Sequence, residues 1–317
     1  MAKFFLTPKG LIARFPWVQT PAWMVEAGVF YLMLGFARLL PFSVASGLFA
    51  RALGWLGYRN AQKRRTVGRN LLHVLPEASD TKRDAVMRDI FRSTGRAAAE
   101  LFLLERLWQN RTRHLEFSVH PEAEEIIARK EAIVFATAHV SAWQLCNLIG
   151  RERELTISVI YTPEPNPWLH GFFLSLRRAF GGPLVPSAGG ARELLHELAA
   201  GRSVGAAFDT RVDQGEMVPF FGTPTPTSTL PALLAQRGYP LVPIRAVRLP
   251  NARFRIEVLA PLAPADPDLP RKERIFDMTH RLNLIFEDWI RDYPGEWICM
   301  KRRWFKTRDS APKAPDA

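Results

Sequence analysis

The chain has 317 residues, 47% hydrophobic and 23% charged, which excludes general disorder and supplies apolar side chains for one large domain or two small ones. A formal charge of +12 at neutral pH attracts anionic lipid headgroups, an acidic protein or nucleic acid. Cys146 and Cys299 lack the paired spacing of a metal site or disulfide framework; this fits a reducing compartment and gives no sign of redox chemistry.

Lys3, Lys9 and Arg14 are scattered among apolar residues, so the N-terminus lacks the pattern of a cleaved secretory signal. From Pro21 to Leu40 the chain reads PAWMVEAGVFYLMLGFARLL. That is about the ~20 residues that cross a hydrocarbon core, but Glu26 and Arg38 interrupt it and Pro41 ends it. A second apolar segment, Ser43 to Tyr58, carries Arg51 near its centre and leads into the basic cluster Arg59, Lys63, Arg64, Arg65 and Arg69. An anchoring segment beside cations suits an anionic leaflet; a pair of core helices with a solvated basic face is the competing reading. Residues 60–107 show helical spacing at Ile90, Phe91, Ala97, Leu101 and Leu104, with Asp80 as predicted N-cap.

Beyond residue 120 short β-rich runs alternate with helical stretches. The runs are Ala132 to Ala138, Ile157 to Tyr161, Leu184 to Pro186, Ser203 to Phe208, Leu241 to Val247 and Phe254 to Leu259. Such alternation predicts an α/β fold with helices on the faces of a central sheet, mixed because a short Pro-Asn turn joins the last two runs. The expected organisation is a helical membrane-anchoring segment (1–60), an α/β domain (61–306) and a disordered tail (307–317).

The sharpest local feature is AIVFATAHVSAWQL, where an apolar strand ends at His139 and a helix is predicted from Ser141. Ligands collect at the carboxyl ends of strands in open α/β sheets, so this histidine is placed for chemistry. The other six, His73, His114, His120, His170, His196 and His280, lie in helical or polar surroundings.

His139-Val-Ser-Ala-Trp-Gln144 resembles the H-x4-[E/D] signature of the bacterial lipid A biosynthesis acyltransferases, commonly H-x-G-N-W-E. Other blocks are similar in family order. They are Asn70-Leu71 with Pro76-Glu77; Gly95 with Glu100; Arg177 or Arg178 before Gly181-Gly182; VGAAFD ending at Asp209, then VPFFG (218–222) and Thr227; and PGEWICMKRRW, 294–304. The resemblance covers roughly residues 20–305 and implies a glycerolipid-acyltransferase-like fold with a membrane-associated N-terminal portion. It departs at Gln144, which replaces the motif acid, at Thr210, where the family has Gln, and at Cys299 and Lys301, where Trp and His are commoner.

The implied reaction is O-acyl transfer from an acyl carrier protein thioester, or a coenzyme A thioester, to a hydroxyl of a lipid A precursor. No metal or further cofactor is expected. The expected location is the cytoplasmic face of the bacterial inner membrane. Such transfer needs a base for the hydroxyl proton, here His139. The residue five positions on would orient the imidazole; within one helix it would sit about 140° away, so His139 must precede the helix. Gln144 can accept the ring N–H but offers no negative charge, and Ser141-x-x-Gln144 also reads as a capping box. Arg177 or Arg178 suits a phosphate of the acceptor, or belongs to a solvated helix face. Asp209, at a strand end beside His139, would orient an arginine or compensate for the missing acid. Ser187 to Gly190 offers a weak phosphate loop, and Pro219 to Gly222 a structural turn. The basic surface suits acidic carrier protein and an anionic leaflet. A catalytically inactive, lipid-binding relative acting in a membrane complex is the alternative that Gln144 and Thr210 motivate. Nucleic acid is not expected as a partner, because no zinc, helix-turn-helix or RNA-binding signature accompanies the charge.

Overall fold

The computed structural model describes residues 14–186 and 190–305. Lys3, Lys9, the Ser187–Gly189 part of the expected phosphate loop and the 307–317 tail lie outside the described residues. Pro41, unable to donate a backbone N–H, divides the apolar N-terminal run into α1 (Gln19–Leu39) and α2 (Phe42–Arg59). Next come α3 (Ala61–Val74), capped by Asn60, and α4 (Asp80–Phe102). The cap of α4 is Ser79, which accepts from the Lys82 N–H at 3.2 Å; Asp80, the expected cap, sits in the first turn and pairs with Arg83. α2 and α4 meet backbone to backbone at Gly95, where an added Cβ would lie 2.2 Å from the Phe49 carbonyl oxygen. Gly95→Ala is expected to cost about 1–3 kcal/mol through overpacking, read as a lower denaturation midpoint.

The short helices α5 (Leu104–Gln109) and α6 (Arg111–His114) lead into β1 (Leu115–Val119), and α7 (Pro121–Ala128) into β2 (Val134–Thr137). After α8 (Leu148–Glu152) and β3 (Ile157–Tyr161), α9 (Pro167–Arg177) precedes β4 (Leu184–Pro186), and α10 (Gly190–Ala199) precedes β5 (Ser203–Ala207). A ribbon of β6 (Glu216–Phe220) and β7 (Thr223–Thr227) is followed by α11 (Leu230–Ala235), β8 (Leu241–Leu249), β9 (Arg253–Val258) and α12 (Arg271–Asp292).

The main sheet has seven strands in the order β1-β9-β8-β2-β5-β3-β4. All neighbours are parallel except β8 and β9, which the turn at Pro250–Ala252 joins antiparallel. The fold is therefore α/β with a mixed central sheet flanked by helices, as the sequence predicts. Strand alternation sends Phe135, Val242 and Ile244 into one core with Leu104, Leu145 and Phe172. Val134, Ala136 and Leu241 enter the other with Phe286, Trp297 and Trp304.

Pro219, Pro224 and Pro226 hide the β6–β7 ribbon from sequence reading; a two-stranded ribbon has only edges, where proline is tolerated. Its turn has positive φ at Phe221 (49°) and Gly222 (69°), the primed-turn geometry that suits a twisted hairpin. The N-terminal helices share the first core through Leu34, Ala37, Phe42, Ala45 and Phe49, so they lie against the α/β body.

Candidate active site

The register of two central strands brings the site together. β2 and β5 are parallel neighbours with Thr137 opposite Ala207, so His139 and Asp209 each lie two residues past the matched pair, at the carboxyl edge of the sheet. The Phe208 N–H donates to the Thr137 carbonyl at 2.9 Å and extends that register. His139 Nδ1 and Asp209 Oδ1 are 2.6 Å apart, and the other carboxylate oxygen accepts from the Trp297 indole N–H at 2.8 Å. The imidazole is 31% exposed and the carboxylate 3%, so both line the cavity but the ring is the more accessible partner.

An ionised carboxylate only accepts hydrogen bonds, which assigns the proton of this contact to Nδ1 and leaves Nε2 as the ring's available lone pair. Burial pulls the His139 pKa down, but the Asp209 carboxylate outweighs it and holds the ring above its ordinary 6.5, with Lys301 opposing. Burial pushes Asp209 up, and the charge and hydrogen bonds of His139, aided by Trp297, hold it below its ordinary 3.8.

This geometry corrects the expected pairing. Gln144 lies on a 3₁₀ turn, Trp143–Asn147, and its amide Nε2 reaches the Ala97 carbonyl at 3.5 Å; the hydrogen-bond partner of His139 is Asp209. The capping box is also absent. Ser141 has φ 54°, its hydroxyl accepts from the Arg248 N–H at 3.0 Å, and its own N–H donates to Glu296 O. The turn after His139 is fixed from two sides. The Ile298 N–H donates to His139 O at 2.8 Å and Val140 bridges to Trp297. From β8, Arg248 donates to Ser141 O at 2.9 Å and to Ser93 Oγ at 2.7 Å, and grips Glu100 through two bonds of 2.6 and 3.0 Å. Sequence reading missed Arg248.

His139 opens onto a cavity of about 620 Å³, within the range of small-ligand sites. Leu101, Phe135, Ile157, Val159 and Phe180 give it apolar walls; Arg177, Arg211, Lys301 and Arg303 give it cationic ones. Of the paired arginines, Arg177 is half-buried against Tyr161 and Phe173 and lines the cavity, whereas Arg178 is exposed at the start of the next turn. Arg303, which sequence reading left inside a Trp-rich block, is 2% exposed. It donates to Pro226 O and Thr227 Oγ1, and burial draws its pKa down to about 10. Cys146 and Cys299 also line the cavity, but burial pushes both thiols up to about 12. A thiolate nucleophile at neutral pH is therefore disfavoured. Neither cysteine is expected to be alkylated by iodoacetamide in the folded protein, as read by mass spectrometry.

Residues 18–306 match the bacterial lipid A biosynthesis acyltransferase family. The chain belongs to that family. It is similar to a lipid A biosynthesis acyltransferase of Haemophilus influenzae, 24% identical over 233 residues that cover 71% of each chain. The acyltransferase blocks scattered along the sequence converge in space. Asn70 donates to the Cys299 and Lys301 carbonyls and accepts from the Arg303 N–H, tying α3 to the C-terminal block. Glu100 holds Arg248, Thr227 holds Arg303, and the Phe221 N–H donates to Glu287 Oε1 at the ribbon turn. Pro219 and Phe220 thus end β6 and Phe221–Gly222 form the hairpin turn, with aromatic packing where Phe220 stacks on Trp304.

Proposed function

We propose that this acyltransferase moves a fatty acyl group from an acyl carrier protein thioester to a hydroxyl of a lipid A precursor, with His139 as general base. The observation that carries the reading is the His139–Asp209 contact of 2.6 Å at the mouth of a cavity that is part apolar, part cationic. Nε2 takes the hydroxyl proton as the oxygen attacks the thioester carbonyl. The tetrahedral intermediate collapses to the ester, and the departing thiolate takes the proton back from the imidazolium. Asp209, negative and buried, fixes the tautomer and stabilises the imidazolium, the role assigned to the aspartate in a hydrolase triad.

Arg177 serves an anionic group of the acceptor, a phosphate in the simplest case, through planar bidentate donors. Arg178, exposed, is given no such role. The charge of +12 suits docking of the acidic carrier protein and residence on the cytoplasmic face of the inner membrane. Gln144 contributes a cavity wall. Its hydrogen bond is long, so Gln144→Ala is expected to lower transfer by no more than about fivefold, the equivalent of one neutral bond of about 1 kcal/mol.

The inactive-relative reading draws on Gln144, and the buried carboxylate at Asp209 removes most of its force. Purified protein in detergent, labelled carrier-protein or coenzyme A thioester and a lipid A precursor test the two. Transfer by wild type, faster with the carrier protein and little changed by Gln144→Glu, is the expected result. An inert wild type that gains activity through Gln144→Glu points to the inactive relative.

A further inference from the structure

We propose that the protein docks on anionic lipid as a monotopic body, with α1 lying in the plane of the membrane interface and not crossing it. By length the helix permits either arrangement: its 21 residues span about 32 Å, enough for a hydrocarbon core of about 30 Å. Its two faces decide.

The face turned away from the body is mostly apolar, with Met24, Val25, Tyr31, Leu32, Phe36 and Leu39 exposed and polar Thr20 and Arg38 near its two ends; Leu32 is 75% and Leu39 83% accessible. On α2, Val44, Leu48, Trp55 and Leu56 are exposed as well. The polarity is inverted relative to a soluble helix, since Glu26 lies on the inner face at 0% exposure. So many large apolar side chains left exposed on one helix mark an interaction site.

The inner face is fastened to the body along its whole length. Near the N-terminal end, Asn166 Nδ2 donates to Trp23 O at 2.9 Å. At mid-helix the Phe30 ring packs against Phe102, Phe172 and Phe173 with centroids 5.6–6.4 Å apart. Just past the C-terminal end, Arg106 Nη1 donates to Leu40 O at 2.7 Å. Crossing the bilayer would carry Asn166, Arg106 and the helices that bear them into hydrocarbon, where polar groups are costly. Lying in the interface puts the apolar side chains into the acyl layer, with the body in water.

Charge selects the occupant. Between residues 14 and 59 the acidic residue is Glu26, buried, while Arg14, Arg38, Arg51 and Arg59 are all exposed. Arg59 lies 4.3 Å over the Trp55 ring, an aromatic–cation pairing suited to headgroup depth. A second copy laid face to face would oppose arginine to arginine, whereas anionic lipid complements them. The surface also adjoins the cavity. α9 packs on α1, exposes Trp168 and ends at Arg177 in the cavity wall, so one helix links the apolar surface to the cavity that holds His139.

The test adds the whole chain, from dilute detergent, to the outside of preformed vesicles of phosphatidylethanolamine with phosphatidylglycerol, so that insertion is one-sided, with Thr20→Cys and Arg38→Cys made separately and a membrane-impermeant maleimide added outside. Equal labelling of the two sites, reported against total labelling in detergent, is the result expected; labelling of opposite sides establishes a spanning helix and overturns the proposal. Flotation with Leu32→Glu and Phe36→Glu forms the second arm. Vesicle binding falls about tenfold or more while Tm is little changed, because both altered side chains are mostly exposed. Wild type that floats equally without phosphatidylglycerol, or that ignores vesicles and sediments as a dimer dissociated by Leu32→Glu, contradicts the assignment to anionic lipid. Neither arm needs acyl transfer, so failure of the proposed chemistry and failure of this topology are read separately.

Discussion

Asp209→Asn is expected to lower acyl transfer roughly 10³–10⁴-fold, on the scale of general-base catalysis and of amide replacement in a catalytic triad. The aspartate meets two donors, the His139 ring N–H and the Trp297 indole N–H, and offers an oxygen to each. An amide has one oxygen. If its NH₂ faces Trp297, two buried donors oppose each other; if it faces His139, the ring proton is driven to Nε2, where the base is needed. The pH profile changes as well. Asp209 holds the His139 pKa above 6.5, so wild-type activity rises with pH through a value above 6.5 as the neutral base forms. With the carboxylate gone, burial is left to lower the pKa, and the residual activity of Asp209→Asn should rise at lower pH than wild type.

Stability has two limbs with opposite signs. The depressed Asp209 pKa contributes stability above its unfolded 3.8 that is lost as pH falls through the folded value. The raised His139 pKa contributes stability below 6.5 that is lost as pH rises through the folded value. The pair therefore stabilises most between these limits. Rate–pH profiles of both proteins with saturating donor check this; unchanged activity in Asp209→Asn would remove Asp209 from the mechanism.

Arg248→Met should be the most destabilising of the substitutions considered, by roughly 3–5 kcal/mol, because it removes the cation from Glu100, a carboxyl at 1% exposure that burial already pushes above its ordinary 4.5 and that must then stay charged without its partner or take up a proton. That is a large part of the 5–15 kcal/mol that holds an ordinary domain folded. Arg248→Lys keeps the charge but not the planar fork that reaches Glu100, Ser93 and Ser141 together, and should fall between the two. Combining Arg248→Met with Glu100→Gln removes both charges and should recover part of the loss. Urea denaturation of the four proteins reads the series. A single Arg248→Met as stable as wild type would show that the buried pair does not hold the His139 turn.

Six strands of the main sheet were legible because parallel strands covered on both faces are continuous apolar runs. Their ends, and so the placement of His139, followed. The partner of His139 was not legible. The motif spacing points five residues along the chain to Gln144, while the pairing is made 70 residues away through the β2–β5 register, which local pattern does not encode. Asp209 was placed on the correct sheet edge but given a substrate-binding or compensating role. Arg248 was hidden because a cation in a strand ordinarily reads as a surface position. The available signal was a carboxylate, Glu100, in the apolar stretch AAAELFLL, which needs a buried cation somewhere in the fold. Arg303 was hidden in the same way among its charged neighbours, 301–303.

The most direct measurement is single-turnover acyl transfer to a lipid A precursor by wild type and His139→Ala side by side, after both are shown to have the same Tm. Transfer by wild type and its loss in His139→Ala, by about 10²–10⁴-fold or more, is the result predicted for a histidine base. Full transfer by His139→Ala would contradict the mechanism at its centre.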